Sequence, residues 1–335
     1  MTQTLPRRRF LTITAAAAGL PLLGLPGAGL ARETAHLHRW QGVAMGARAI
    51  VLLHHPDAGK AAELMKAVTD EVRRLEAVFT LFHDDSPLSR LNRDGVLTDP
   101  PADLVVLLSR GKSLAEITGG AFDMTVQPLW RLYADHFSWP RADPEGPSAE
   151  DIEKTRELVD YRAVQVEAGR IAFARPGMAV TLNGIAQGYI TDKVADLLRR
   201  HGVTNVLVDI GEVRALGRDE DRRPWQVGIA DPDAPDRPMD RVSLSDMALA
   251  TSGGYGSPFE VSGRHHHLLD PKTGRSSNRY RSVSVIAPEA TVADGLSTAL
   301  SSMPLETFSS CLAATGAAKA MAVLPNGRTS WSEPT

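Results

Sequence analysis

Apolar residues recur at helical spacing between about Gly59 and Phe79, where Leu64, Val68, Val72, Leu75 and Val78 mark one face of an amphipathic helix. A second helix is expected over roughly Ala102 to Ile117, and a third from an N-cap at Ser148 towards Asp160. Shorter apolar runs read as strands at Ala47 to Leu53, Trp225 to Ala230, Ser282 to Ala287 and Ala320 to Leu324. Val164 to Val166 and Ile171 to Phe173 flank a Glu-Ala-Gly turn and predict a hairpin, while His83 to Gly95 reads as a polar loop. The clearest unit is Met178 to Ile210: strand Met178 to Leu182, turn Asn183-Gly184, helix Ala186 to Arg200 closed before Gly202, and strand Asn205 to Ile210. Further helices are expected from Val292 and near Glu306 to Ala314. Strands, hairpins and helices in this order predict an α+β fold of mixed sheet layers with flanking helices rather than a purely parallel sheet.

Ahead of these elements stands a segment of another kind. Pro6-Arg-Arg-Arg-Phe-Leu11 precedes a mildly apolar run to about Leu25 and small residues ending at Ala31, which resembles a twin-arginine export signal cleaved after Ala31. Pro21, Pro26 and several glycines speak against a membrane anchor, so no stable membrane insertion is expected once the signal is removed. The chain then divides into a signal over 1–31 and one domain over 32–335, with a periplasmic destination. Removing Arg7, Arg8 and Arg9 takes the formal charge from −3 to −6, which argues against nucleic acid as a partner. A single cysteine, Cys311, excludes an internal disulfide.

Four segments offer chemistry. In Thr291-Val-Ala-Asp-Gly-Leu-Ser-Thr298, Asp294 and Thr298 share a helix face, and Thr291 with Asp294 fits a capping pattern. Oxygen ligands there would suit a hard cation carrying a phosphate, although an ordinary capped helix has the same pattern. Leu182-Asn-Gly-Ile-Ala-Gln-Gly188-Tyr puts small residues at a helix start, where free N–H groups can meet phosphate or glycine can serve packing alone. Thr118-Gly-Gly-Ala-Phe-Asp123 reads as a close backbone approach or as a helix exit with a core Phe122. Ala250-Thr-Ser-Gly-Gly254 reads as a small-residue turn, followed by His265, His266 and His267. Adjacent histidines cannot all converge on zinc, so one of them is a better acid/base candidate.

Taken in order, Met45-Gly46, Ser86-Pro-Leu-Ser-Arg-Leu-Asn92, Gly119-Gly-Ala-Phe-Asp123, Leu182-Asn-Gly-Ile-Ala-Gln-Gly188-Tyr with Asp192, Ala250-Thr-Ser-Gly253, His267-Leu-Leu-Asp-Pro-Lys-Thr-Gly274 and Ala293-Asp-Gly-Leu-Ser-Thr298 resemble the ApbE family of FAD:protein FMN transferases. The leader and the Leu182 to Asp192 block further resemble its NosX branch, whose members accompany nitrous oxide reduction. The resemblance implies an ApbE-like (T-fold-like) single domain and a magnesium-dependent reaction on FAD. A threonine hydroxyl of an acceptor flavoprotein, expected to be membrane-associated, attacks the FMN-side phosphorus and AMP leaves. It implies Asp294, Thr298 and the backbone of Gly184 as Mg2+ ligands, and His267 for proton transfer or phosphate contact. Met45, Phe82, Ala121, Phe122, Asp123, Thr181, Gln187, Ser252, Gly253 and Leu268 are expected around FAD.

The chain also departs from the family pattern. Thr181 stands where an aspartate is usual, Gln187 where a lysine is, Ala47 where a threonine is, and Gly211-Glu-Val replaces Gly-Gly-Asp. These changes leave two other readings open: an FAD-binding carrier or electron-transfer protein without transferase activity, or a magnesium-dependent FAD pyrophosphatase.

Overall fold

The computed structural model describes residues 36–335, so the segment over 1–31 that is expected to be an export signal lies outside the described residues. Eight strands form one sheet in chain order: His36–Ala44, Ala47–His55, Val206–Ile210, Val213–Leu216, Ala248–Ser252, Ser282–Ala287, Lys319–Val323 and Thr329–Ser332. Each runs antiparallel to the next. The first two are joined by Met45 and Gly46, whose φ values of 50° and 76° suit the tight two-residue turn that follows strand twist.

Side chains alternate across a strand, and both faces of this sheet are covered. Ala49, Val51, Leu53, Val206, Val208, Val283 and Val285 face a core shared with the helices. Leu52, Leu207, Leu249, Ile286 and Met321 face the other way, under an antiparallel pair, Trp225–Asp231 with Ala234–Leu244. Trp225 anchors that cover, and its indole N–H donates to the Leu216 carbonyl at 3.1 Å.

The helical layer comprises α1 (Ala58–Phe79), α2 (Pro87–Asp94), α3 (Ala102–Ile117), α4 (Gln127–Phe137), α5 (Ala149–Arg156), α6 (Ala186–Arg200), α7 (Ala290–Leu300) and α8 (Phe308–Thr315). A small sheet of Val96–Thr98, Arg170–Phe173 and Val164–Glu167 lies beside it. Among the described residues no helix is long and apolar enough to cross a membrane. The α+β layering and the single domain agree with the sequence reading.

Four local expectations are corrected. The loop expected at His83 to Gly95 contains α2: Ser86 accepts from the Ser89 N–H at 3.0 Å, Pro87 opens the helix, and Gly95 closes it at φ 70°. Met178 to Leu182 joins no ladder, and the Asn92 side chain serves the backbone of its middle residue instead. It accepts from the Val180 N–H at 2.7 Å and donates to the Val180 carbonyl at 2.8 Å. Ala250 to Ser252, read as turn, complete a strand, and the turn begins at Gly253. Thr291 does not cap α7. Asp192 of α6 does so, accepting from the N–H groups of Ala290 and Thr291 at 2.9 and 2.8 Å and from the Thr291 hydroxyl at 2.6 Å.

Candidate active site

α6 and α7 approach closely because a glycine stands where they cross. A Cβ on Gly188 would lie 2.3 Å from the Ala290 carbonyl oxygen and 2.8 Å from the Asp294 Cβ. The same closeness lets the Gly188 N–H donate to Asp294 Oδ2 at 3.0 Å. A Cβ on Gly184 would lie 2.9 Å from Thr298 Oγ1, so the turn before α6 rests on that hydroxyl. The i, i+4 face of α7 thus meets the Gly184 to Gly188 stretch, and the three residues expected to share a cation are neighbours. Behind them, Asp192 forms a buried ion pair with Arg214 at 2.5 Å, which fixes the start of α7.

The end of the strand Ala248–Ser252 supplies a third side. Ser252 Oγ lies 2.7 Å from Ser297 Oγ and 3.3 Å from Thr298 Oγ1. The turn after Val206–Ile210 supplies a fourth: Gln187 lies flat on Gly211, whose φ is 88° and whose Cβ would be 2.5 Å from the amide nitrogen. Among the described residues that buried nitrogen has no hydrogen-bond partner.

Three acids gather here. Burial pushes the Asp294 carboxyl up to about 7, the Gly188 N–H works against the shift, and the Asp192 charge adds to it. Burial also lifts Glu212 well above the carboxylate range, reinforced by Asp294 and Asp209, and lifts Asp209 to about 7. Tyr255 is pushed up to about 12 by burial and then by the Glu212 charge. The acids do not converge on one point: among the described residues no three His, Cys, Asp or Glu side chains form a metal-binding group. A cation held at α7 would draw on one carboxylate with hydroxyl and backbone oxygens, a hard donor set suited to Mg2+. Asp294 fits that role, since Oδ1 takes no hydrogen bond among the described residues while Oδ2 is held by Gly188.

His267 and Leu268 sit on the loop beyond Ser252. The His267 N–H and Nδ1 both reach the Ser257 carbonyl, at 3.1 and 3.2 Å. A carbonyl only accepts, so Nδ1 carries the proton and Nε2 keeps its lone pair. Burial pushes this imidazole down to about 4, so it is neutral at pH 7. The three histidines diverge. His265 packs on Phe137, and His266 lies where a Cβ on Gly254 would strike it.

Apart from Gly253, which follows Ser252, the remaining expected flavin-pocket residues lie away from α7. The Met45 N–H donates to Glu76 near the end of α1, and Phe82, largely exposed, follows that end. Asn92 joins this region to Val180. The Thr181 N–H donates to the Met124 carbonyl at 2.8 Å, beside Ala121 to Asp123. Phe122 is core, as the plainer reading had it. The Asp123 carboxylate is spent on the protein: Oδ1 accepts from the Thr125 N–H and hydroxyl at 2.8 and 2.6 Å, and Oδ2 from the Tyr161 N–H at 3.0 Å. Its part is to shape the backbone of this loop. Gly253 is needed where a Cβ would strike the Tyr255 ring at 2.3 Å.

Asp209, Tyr255 and Ser297 were not singled out from sequence. Ser297 had a visible signal, lying between Asp294 and Thr298. Asp209 had none, because its burial depends on how a turn folds onto α6.

The ApbE family pattern matches residues 45–322. The FAD:protein FMN transferase of Vibrio cholerae serotype O1 (strain ATCC 39541) is 32% identical over 288 residues, covering 83% of this chain and 84% of that protein. The solved structure of the Thermotoga maritima ApbE protein superposes with a TM-score of 0.79 at 28% identity, over 89% of this chain and 97% of that one. The apo flavinyl transferase ApbE of Pseudomonas stutzeri gives 0.73 at 28%, over 89% and 96%. By fold, by sequence and by the residues its helices bring together, this chain belongs to the ApbE family.

Proposed function

We propose that this protein transfers the FMN moiety of FAD to a threonine hydroxyl of an acceptor flavoprotein, with Mg2+ bound by Asp294, Thr298 and the Gly184 backbone. The observation that carries this reading is the meeting of Asp294 and Thr298 with the Gly184 to Gly188 stretch across the α6–α7 crossing. Mg2+ bound there would neutralise charge on the pyrophosphate. The acceptor hydroxyl bonds to the FMN-side phosphorus, the pyrophosphate P–O bond breaks, and AMP departs with the electron pair. His267, neutral and with Nε2 unprotonated, takes the hydroxyl proton, and a phosphate charge beside it raises its basicity.

The leader supports export by the twin-arginine route to the periplasm, and the leader and the Leu182 to Asp192 block together support the NosX-branch reading. They also support a membrane-associated acceptor of nitrous oxide reduction. Incubating the mature protein with FAD, Mg2+ and an acceptor domain should yield a covalently fluorescent acceptor band together with AMP. FAD binding without that band would overturn the transfer reading, and AMP release without acceptor would favour the pyrophosphatase.

A further inference from the structure

Each hydroxyl has one proton to donate. Ser297 Oγ, fully buried, donates its proton to the Asp294 carbonyl at 2.9 Å, a back-bond along α7. In its 2.7 Å contact with Ser252 Oγ, Ser297 must therefore accept and Ser252 donate. With the Ser252 proton spent, the 3.3 Å contact between Ser252 Oγ and Thr298 Oγ1 has one polarity: Thr298 donates and Ser252 accepts.

We propose that Ser252 and Ser297 form a one-way hydroxyl relay, Thr298 to Ser252 to Ser297 to the Asp294 carbonyl, which turns the Thr298 proton towards the strand and leaves its lone pairs for a divalent cation at the Gly184 turn. This rests on the cation reading given above and assigns two positioning residues to it. A threonine hydroxyl free to rotate would present its proton to the cation in part of its population, and binding would have to restrict it. The relay sets that orientation beforehand. It starts and ends on α7 but passes through the strand Ala248–Ser252, so the seating of helix on sheet sets the hydroxyl.

The experiment is a titration of the purified protein with Mn2+, a paramagnetic substitute for Mg2+, with free Mn2+ read by electron paramagnetic resonance. Ser252→Ala and Ser297→Ala are each expected to raise the Mn2+ Kd about fivefold, the size of one net hydrogen bond. Ser252→Thr, which keeps the hydroxyl, should restore it. Ser301→Ala removes a similar back-bond, to the Thr298 carbonyl at 2.6 Å, but lies outside the relay and should leave the Kd unchanged. If Ser297→Ala fails to fold, Ser297→Cys, a weaker donor and acceptor of similar shape, takes its place with a smaller rise expected. A parental Kd in Ser252→Ala alongside weakened binding in Thr298→Val overturns the relay alone. Parental binding in Thr298→Val and Asp294→Ala as well overturns the cation reading and the relay with it.

Discussion

As the proposed cation ligand, Asp294 would carry charge in surroundings that resist it. Burial raises its carboxyl from an ordinary 3.8 to about 7, so in the metal-free protein its contribution to stability is full below pH 3.8 and falls as pH rises towards 7. His266 and His267, pushed down to about 4 by burial, act in the opposite sense. Their contribution is present above 6.5 and is lost as pH falls through 4. The overall pH curve mixes the two, but comparison with Asp294→Asn isolates the acid. In EDTA this variant is expected to melt above the parent at pH 8 by at least about 2 °C, with the gap closing towards pH 5 as the parent takes up its proton. Scanning calorimetry measures both, and a gap that widens at pH 5 would refute the assignment. At this scale the sequence was readable where periodicity alone decides geometry, as in the four-residue spacing of Asp294 and Thr298. It marked Glu212 only as a departure from the family pattern and was silent on Asp209, since the burial that shifts both comes from the folded surroundings, and it could not show that the Asp123 carboxylate is already spent.

Between elements, the site depends on how closely α7 lies on α6. Gly188→Ala would drive a methyl group into the Ala290 backbone, which cannot yield as a side chain does, and should cost about 1–3 kcal/mol. Gly295→Ala would meet the Leu114 Cδ2 at 2.3 Å, the end of a flexible side chain, and should cost less. Urea denaturation of the two variants ranks them, and the reverse order would contradict the packing described. Asp192→Ala leaves Arg214 buried without its partner and α7 without its cap, so a loss of about 3–5 kcal/mol is expected in the same measurement. The helix at Ala186 was legible because the Asn183-Gly184 turn opens it and Gly202 closes it. α2 was missed although Ser86, Pro87 and Gly95 spell its ends, since Arg90, Asn92, Arg93 and Asp94 make it polar. The Met178 to Leu182 run has a strand's apolar pattern, but a single Asn92 amide takes the place of a neighbouring strand.

For the whole molecule, the expected α+β layering holds, and the chain-order antiparallel sheet explains how helices reach its inner face. Residues 56–205 leave and return between two adjacent strands, and α7 and α8 do so between Ser282–Ala287 and Lys319–Val323. The outer face depends on the covering pair anchored by Trp225. Trp225→Ala should cost about 3–5 kcal/mol by loss of burial and of the bond to Leu216. Chemical denaturation gives that number, and a loss below about 1 kcal/mol would mean that the cover contributes little to holding the sheet.

The place of α7 in the chain has a consequence during synthesis. A ribosome exposes Gly184 and Gly188 long before residues 290–300, so a nascent chain carries the glycine stretch without Asp294 or Thr298 opposite it. Asp209 and Glu212 are close neighbours in the chain, but Asp294 joins them only when nearly all of the chain has been made. An incomplete translation product therefore carries the Gly184 backbone but neither side-chain donor of the proposed site, and both of those arrive in a single late step.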